Sequence, residues 1–218
     1  MYHFHSNTYP RAPFDSSIPV PLVSINAVIR RPSVLLRLPE ETRSFAAIIK
    51  KEIWWFSLIP PSFLFIGTYF FGWRIGAEEP IHFEWPVLLS ICVFYYVLLF
   101  GGLLILSLLS RWMAPTYATT RDLGSHLTVI VTSAAPLFLG SVAHLYPHII
   151  VNSLVFIPML LWSLWVLYST LPELLKTDPQ RGMLHASSLV GIVMVAGVSL
   201  IGMSVVLWTL GIGPTIGV

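Results

Sequence analysis

The chain has 218 residues, of which 56% are hydrophobic and only 10% are charged, with a mean hydropathy of +0.79. Its formal net charge is +2. A soluble domain carries about 25% charged residues, so this composition leaves too little polar surface to cover a folded particle in water. An ordinary soluble globular domain is therefore excluded.

The amino-terminal region divides into two segments before the first long apolar run. Residues 1–24 contain four prolines and no periodic apolar pattern, which predicts a flexible tail. In residues 25–52, Pro39 followed by Glu40 indicates a helix start, and apolar residues then recur at helical spacing. This segment is either an interfacial amphipathic helix on an anionic leaflet or a polar helix packed on the cytoplasmic loops. The basic residues predicted to bind lipid or a partner are Arg30, Arg31, Arg37, Arg43, Lys50 and Lys51.

Five apolar runs follow, and each approaches the roughly 20 residues that a helix needs to cross a bilayer core. The predicted spans cover residues 53–73, 85–109, 127–146, 149–171 and 186–212. They lack the alternation of apolar and polar residues that a transmembrane barrel requires. We therefore predict an all-α integral membrane bundle of five transmembrane helices within residues 53–213.

The positions of the basic residues predict the orientation of the bundle. Ten lysines and arginines flank one side of the spans, and Arg74 alone lies on the other side. Because lysine and arginine accumulate in cytoplasmic loops, the amino terminus is predicted to be cytoplasmic and the carboxyl terminus outside. We call the predicted cytoplasmic side the inner end and the opposite side the outer end. His126 and His185 fall at inner ends of predicted spans.

The predicted outer loops combine carboxylates with imidazoles. These groups would hold a divalent cation if the two loops converged, whereas the alternative is a solvated loop that is acidic because of the topology alone. The candidate metal ligands are Glu78, Glu79, His82, Glu84, His144 and His148.

A solute pathway is a second candidate site. The predicted helix interiors contain no Asp, Glu, Lys or Arg, which weighs against a proton pump or a voltage sensor. Asn152 is the most polar residue at any depth, and Pro136 and Pro158 interrupt helices in the way that broken-helix transporters do. The alternative interpretation of the prolines is that they only kink packed helices.

The sequence contains no signature of an enzyme. A nucleophile elbow, a glycine-rich phosphate loop and an HExxH motif are all absent. The single cysteine, Cys92, lies in an apolar run and permits neither an intramolecular disulfide nor a cysteine-built metal site. We expect no enzymatic activity and no cofactor.

Residues Leu161–Lys176, with the sequence LWSLWVLYSTLPELLK, resemble the fourth-helix signature of the YIP family of Ypt/Rab-interacting membrane proteins. Ser133 to Pro136 is similar to the proline-bearing third helix of that family, and Arg31-Pro32 is similar to its pre-membrane segment. The resemblance implies five spans with the amino terminus inside. The short tail and compact loops resemble the bacterial branch, which implies a multi-pass protein of the inner membrane.

Two functional hypotheses follow. The leading one is a non-enzymatic scaffold that organises the membrane or recruits a partner through its basic segment and inner loops. The alternative is a small transporter or channel for an ion, including a divalent metal, or for a small solute. The expected partners are an anionic inner leaflet, a cytoplasmic protein and a second copy of the chain, which the small-xxx-small spacing of Ser187 and Gly191 would accommodate. No nucleic-acid partner is expected.

Overall fold

A computed structural model describes residues 48–49, 53–74 and 79–211 of the chain. Its helices are α1 (Trp54–Phe71), α2 (Trp85–Tyr117), α3 (Leu123–Gly140), α4 (Ile149–Leu174) and α5 (Pro179–Thr209), and a 3₁₀ turn (Ser141–Leu145) continues α3. Within these ranges, five helices are long and apolar enough to cross a membrane. The predicted all-α bundle of five transmembrane helices is confirmed, and the orientation of its termini stays a prediction.

Four helices extend further at the inner end than the hydropathy pattern predicted, and α4 does so by three residues, ending at Leu174 instead of 171. α2 continues to Tyr117 instead of ending at 109, α3 begins at Leu123 instead of 127, and α5 begins at Pro179 instead of 186. The 33 residues of α2 measure about 50 Å at 1.5 Å per residue, against about 30 Å for the hydrocarbon core. Hydropathy marks only the part of a helix that lies in lipid, so it misses turns that continue beyond the membrane.

The best-buried part of the bundle surrounds α3. Leu127 and Val129 of this helix are fully buried, and the same core includes Leu171 of α4 and Leu189 of α5. Ile48, which precedes α1, is also packed into this core. Most side chains in the outer part of α5 are not covered by the other helices, as expected for a helix whose apolar side chains face lipid.

Backbone hydrogen bonds join the two outer loops. Trp73 and Ile81 exchange a pair of hydrogen bonds with N···O distances of 2.8 Å. The Arg74 N–H donates to the Pro147 carbonyl at 2.8 Å, and the Ile149 N–H donates to the Arg74 carbonyl at 3.1 Å. We call these five residues the outer clasp. It holds the end of α1 against the start of α4.

Candidate functional site

A group of buried polar side chains lies where the inner parts of three helices meet. Ser110 of α2, His126 of α3 and His185 of α5 are each at most 1% exposed. The Ser110 Oγ lies 2.7 Å from the His126 Nδ1 and 3.2 Å from the His185 Nε2. We call these three residues the inner polar cluster.

The partners of the inner polar cluster fix the direction of its hydrogen bonds. The His126 Nε2 lies 2.8 Å from the Thr120 carbonyl, which only accepts, so Nε2 carries the proton. In the neutral imidazole, His126 Nδ1 then accepts the single hydroxyl proton of Ser110. His185 must therefore donate from Nε2 to the Ser110 oxygen. Its Nδ1 keeps a lone pair, and this buried atom has no hydrogen-bond partner among the described residues.

Further contacts connect the cluster to both inner loops. The Tyr117 ring stacks on His185 with ring centroids 4.9 Å apart, and the Tyr117 hydroxyl lies 2.6 Å from the Ser188 Oγ. The Thr177 hydroxyl donates to the Tyr117 carbonyl at 2.9 Å. The Thr120 N–H donates to the Leu175 carbonyl at 3.0 Å. The ends of α2 and α4 and the starts of α3 and α5 are thus held in one arrangement.

The burial of Ser110 decides what this cluster does chemically. A serine beside an imidazole has the composition of an activated nucleophile, but a nucleophile must reach its substrate. With Ser110 only 1% exposed, no substrate touches its oxygen in this arrangement. In this arrangement the cluster connects the inner parts of α2, α3 and α5.

The surface at the inner end of the bundle carries charges of both signs, and its exposed carboxylates in the described part of the chain are those of Asp122, Glu173 and Asp178. Its exposed cationic side chains are Arg111, Arg121, Lys176 and Arg181. Within the described part of the chain, none of the four forms an ion pair. We call this set the inner cationic rim. Their charges are accordingly available to an anionic lipid headgroup or to an acidic protein surface.

Asp122 caps the amino-terminal end of α3 beside this rim. Its carboxylate accepts hydrogen bonds from the Ser125 N–H at 2.8 Å and from the Ser125 hydroxyl at 2.7 Å. Burial by itself would raise the pKa of Asp122, but these hydrogen bonds, one from the Gly124 backbone and the field of His126 outweigh it. The pKa of Asp122 therefore lies below its ordinary value.

Asp122→Ala should lower the free energy of unfolding by about 1 kcal/mol at pH 7, because the helix loses its cap. A carboxylate with a lowered pKa stabilises the folded state above its unfolded pKa, and this contribution disappears as the pH falls through the folded pKa. The difference between variant and parent should therefore shrink below about pH 4. Thermal unfolding midpoints measured from pH 7 to pH 3 test this, and a difference independent of pH would contradict it.

Asn152, a predicted solute-pathway residue, forms hydrogen bonds through its whole side-chain amide. Its Nδ2 donates to the Tyr146 carbonyl at 3.1 Å and to the His148 carbonyl at 3.0 Å. Its Oδ1 lies 2.5 Å from the His144 Nδ1. These bonds fasten the start of α4 to the chain that follows the 3₁₀ turn. The structure gives Asn152 a structural role, and its role in a pathway stays a prediction.

The two predicted pathway prolines lie on different helices and in different environments. Pro136 is buried inside α3, and in the turn before it Ser163 of α4 donates its hydroxyl to the Ser133 carbonyl. α4 thus supplies a hydrogen-bond donor to the turn of α3 in which Pro136 lacks a backbone N–H. Pro158 is an exposed residue inside α4.

Five of the six predicted metal ligands lie within the described residues. Glu78 lies outside the described residues, and within them no group of three or more His, Cys, Asp or Glu side chains is placed to hold a metal ion. The His148 Nδ1 accepts a hydrogen bond from the Ile150 N–H at 3.2 Å, which caps α4. Metal binding by the full set of six residues stays a prediction.

The basic residues predicted to bind lipid or a partner lie outside the described residues. From their segment, residues 25–52, only Ile48 and Ile49 are described. The predicted tail, residues 1–24, is likewise outside this range. The residues concerned are Arg30, Arg31, Arg37, Arg43, Lys50 and Lys51.

Comparison with known proteins identifies the family. A model of the Yip1 domain matches residues 28–212, which is most of the chain. The chain belongs to the Yip1 family. It is similar to the inner membrane protein YohC of Escherichia coli K12, with 28% identity over 153 residues that cover 70% of this chain and 78% of YohC. The same protein from Escherichia coli O6:H1 matches equally well. No solved structure matches the chain.

These findings confirm two predictions. The resemblance to the YIP family and its bacterial branch was correct. The chain is a multi-pass protein of the inner membrane, as predicted, with five helices capable of spanning it. The Yip1 family is not a known family of enzymes.

Proposed function

We propose that this Yip1-family protein is a non-enzymatic scaffold that recruits an acidic partner protein to the inner face of the membrane. The observation that carries the proposal is the inner cationic rim, whose four positive charges outnumber the three exposed carboxylates described at the inner end, those of Asp122, Glu173 and Asp178. Arg111, Arg121, Lys176 and Arg181 are exposed and carry no ion pair in the described part of the chain.

The inner polar cluster supports recruitment because it makes this surface rigid. A binding surface whose side chains sit on fixed helix ends loses less conformational entropy when a partner docks. Thr120, Tyr117 and Thr177 join the inner loops to the cluster through specific hydrogen bonds.

The use of the polar groups near the outer end favours a scaffold over a transporter. A solute pathway needs polar groups that are free to contact the solute. The amide of Asn152 is instead engaged with His144 and with two backbone carbonyls, and the turn before Pro136 receives the Ser163 hydroxyl.

A photo-cross-linking amino acid at Arg121 tests the proposal in intact cells. We expect a discrete adduct between the full-length protein and one partner protein. Arg181→Glu in the same background should reduce the adduct yield about fivefold, because the loss of roughly 1 kcal/mol of electrostatic attraction corresponds to that factor.

The matched control carries the same cross-linker at Tyr146, which is exposed in the outer loop. This position should give no adduct with the same partner. The proposal is overturned if Arg121 gives only lipid adducts, or if Arg121 and Tyr146 capture the same protein. Flux of a labelled ion or solute into proteoliposomes, reduced by Asn152→Leu, would support the transporter instead.

A further inference from the structure

A cavity of about 230 Å³ lies between α1, α2, α3 and α4 towards the outer end. Most of its wall is apolar or aromatic, and Tyr95, Phe138, Phe156 and Met159 are among the lining residues. A dry cavity of about 150 Å³ can hold a benzene molecule, so this volume suits a single ring with a short substituent.

The cavity wall also contains one oriented imidazole, that of His144. The two protons of the Asn152 amide are donated to backbone carbonyls, so its Oδ1 faces His144 and can only accept. The His144 Nδ1 must therefore carry the proton. In the neutral ring, Nε2 then keeps a lone pair, and no described residue forms a hydrogen bond with it.

The other lining residues restrict the charge of an occupant. None of the described residues that line the cavity is Asp, Glu, Lys or Arg. A charged molecule would lose its hydration without gaining a counter-ion, which is costly in an apolar site. A neutral molecule that donates one hydrogen bond meets both the apolar wall and the unused acceptor.

The position of the cavity indicates the route by which an occupant arrives. Phe156 lines the cavity and is also 54% exposed on the surface of α4 that lies within the membrane. A molecule dissolved in the lipid is therefore separated from the cavity by the side chains of this one helix face. An occupant soluble in the bilayer reaches the site without passing through the outer clasp.

We propose that this cavity binds a small neutral, lipid-soluble molecule with a single ring and one hydroxyl group, whose hydroxyl donates to the His144 Nε2. Asn152 is the positioning residue, because it sets the tautomer of His144. The site lies at the opposite end of the bundle from the inner cationic rim and does not depend on partner recruitment.

Tritiated 4-ethylphenol is a suitable probe for the full-length protein in nanodiscs, with empty nanodiscs correcting for partition into lipid. We expect saturable binding. Unlabelled 4-ethyltoluene, which has a methyl group in place of the hydroxyl, should compete about tenfold more weakly than unlabelled 4-ethylphenol, because it leaves the acceptor unpaired.

Two variants locate the site by independent means. His144→Phe removes the acceptor and should abolish the preference for the phenol, while Leu99→Trp fills the cavity and should abolish binding with His144 in place. A separate groove between α1 and α2, which we call the lateral groove, is lined by Leu58, Phe65 and Leu89 among other residues. Leu89→Trp alters this groove and should leave binding unchanged. Thermal unfolding midpoints show whether each variant is folded.

Three results would overturn the proposal. The first is the absence of saturable binding to the parent protein, and the second is equal competition by the phenol and the toluene. The third is binding that survives Leu99→Trp but is lost in Leu89→Trp, which would place the probe in the lateral groove.

Discussion

Gly67→Ala should destabilise the protein more than any other single methyl addition at a described glycine. A Cβ on Gly67 would lie 2.0 Å from the His144 carbonyl oxygen and 2.9 Å from backbone atoms of Leu145. Because these neighbours are backbone atoms, no side-chain rotation relieves the clash. α1 must move away from the 3₁₀ turn, and we expect a loss of about 3 kcal/mol in the free energy of unfolding, at the upper end of overpacking costs.

Gly101→Ala is the matched control for this prediction. Gly101 is also a helical glycine, but a Cβ there meets nothing within 4 Å. Alanine favours the helix over glycine by up to about 1 kcal/mol, so this variant should be neutral or slightly stabilised. Unfolding midpoints of both variants in the same nanodiscs make the comparison. Equal effects at the two positions would show that α1 does not touch the 3₁₀ turn.

Ser110→Ala should also destabilise the protein strongly, because it removes the group that joins two buried imidazoles. The His126 Nδ1 would lose its donor, and the His185 Nε2–H would lose its acceptor. A buried polar group left without a partner costs about 1–3 kcal/mol, so two such groups predict a loss of about 2–4 kcal/mol after partial relaxation.

Ser107→Ala separates the loss of the cluster from the loss of a buried hydroxyl. Ser107 lies on the same helix and is fully buried, but its hydroxyl donates only to the Leu103 carbonyl of its own helix at 2.7 Å. Its removal leaves no other side chain without a hydrogen-bond partner, so the loss in the free energy of unfolding should stay below about 1 kcal/mol. If Ser107→Ala were as destabilising as Ser110→Ala, the inner polar cluster would contribute no more to the free energy of unfolding than a single buried hydroxyl does.

The fold could be predicted from the sequence because a bilayer imposes one strong constraint. A segment that crosses lipid must satisfy its backbone internally and present apolar side chains, and both properties can be recognised from the sequence. The inner limits of α2 and α5 could not be predicted in this way. Beyond the membrane, Arg111 and Trp112 interrupt the apolar run while the helix hydrogen bonds continue.

The inner polar cluster was harder to predict than the bundle. The positions of His126 and His185 at inner ends of spans were visible in the sequence, but Ser110 is one of many serines in apolar runs. The packing of α2, α3 and α5 brings the three residues together, although His126 lies 16 positions and His185 lies 75 positions after Ser110 in the sequence. The sequence indicated this cluster only through two histidines at the inner ends of the third and fifth spans.

The outer residues show how polarity alone misleads. An amide at the depth of Asn152 is rare and indicates a solute site, yet its hydrogen bonds are all made to His144 and to nearby backbone carbonyls. Its spacing of eight residues from His144 places the two on either side of the turn between α3 and α4. A polar residue close to a helix start often completes the turn before it, and sequence depth does not distinguish that role from solute binding.

The most direct test of the link between the inner polar cluster and partner recruitment is photo-cross-linking at Arg121 in two serine backgrounds. If the cluster shapes the surface that the partner binds, Ser110→Ala should reduce the adduct yield at least fivefold at equal protein abundance, which corresponds to about 1 kcal/mol. Ser107→Ala should leave the yield unchanged. An equal yield in both backgrounds would contradict the account, because recruitment would then not depend on the buried network.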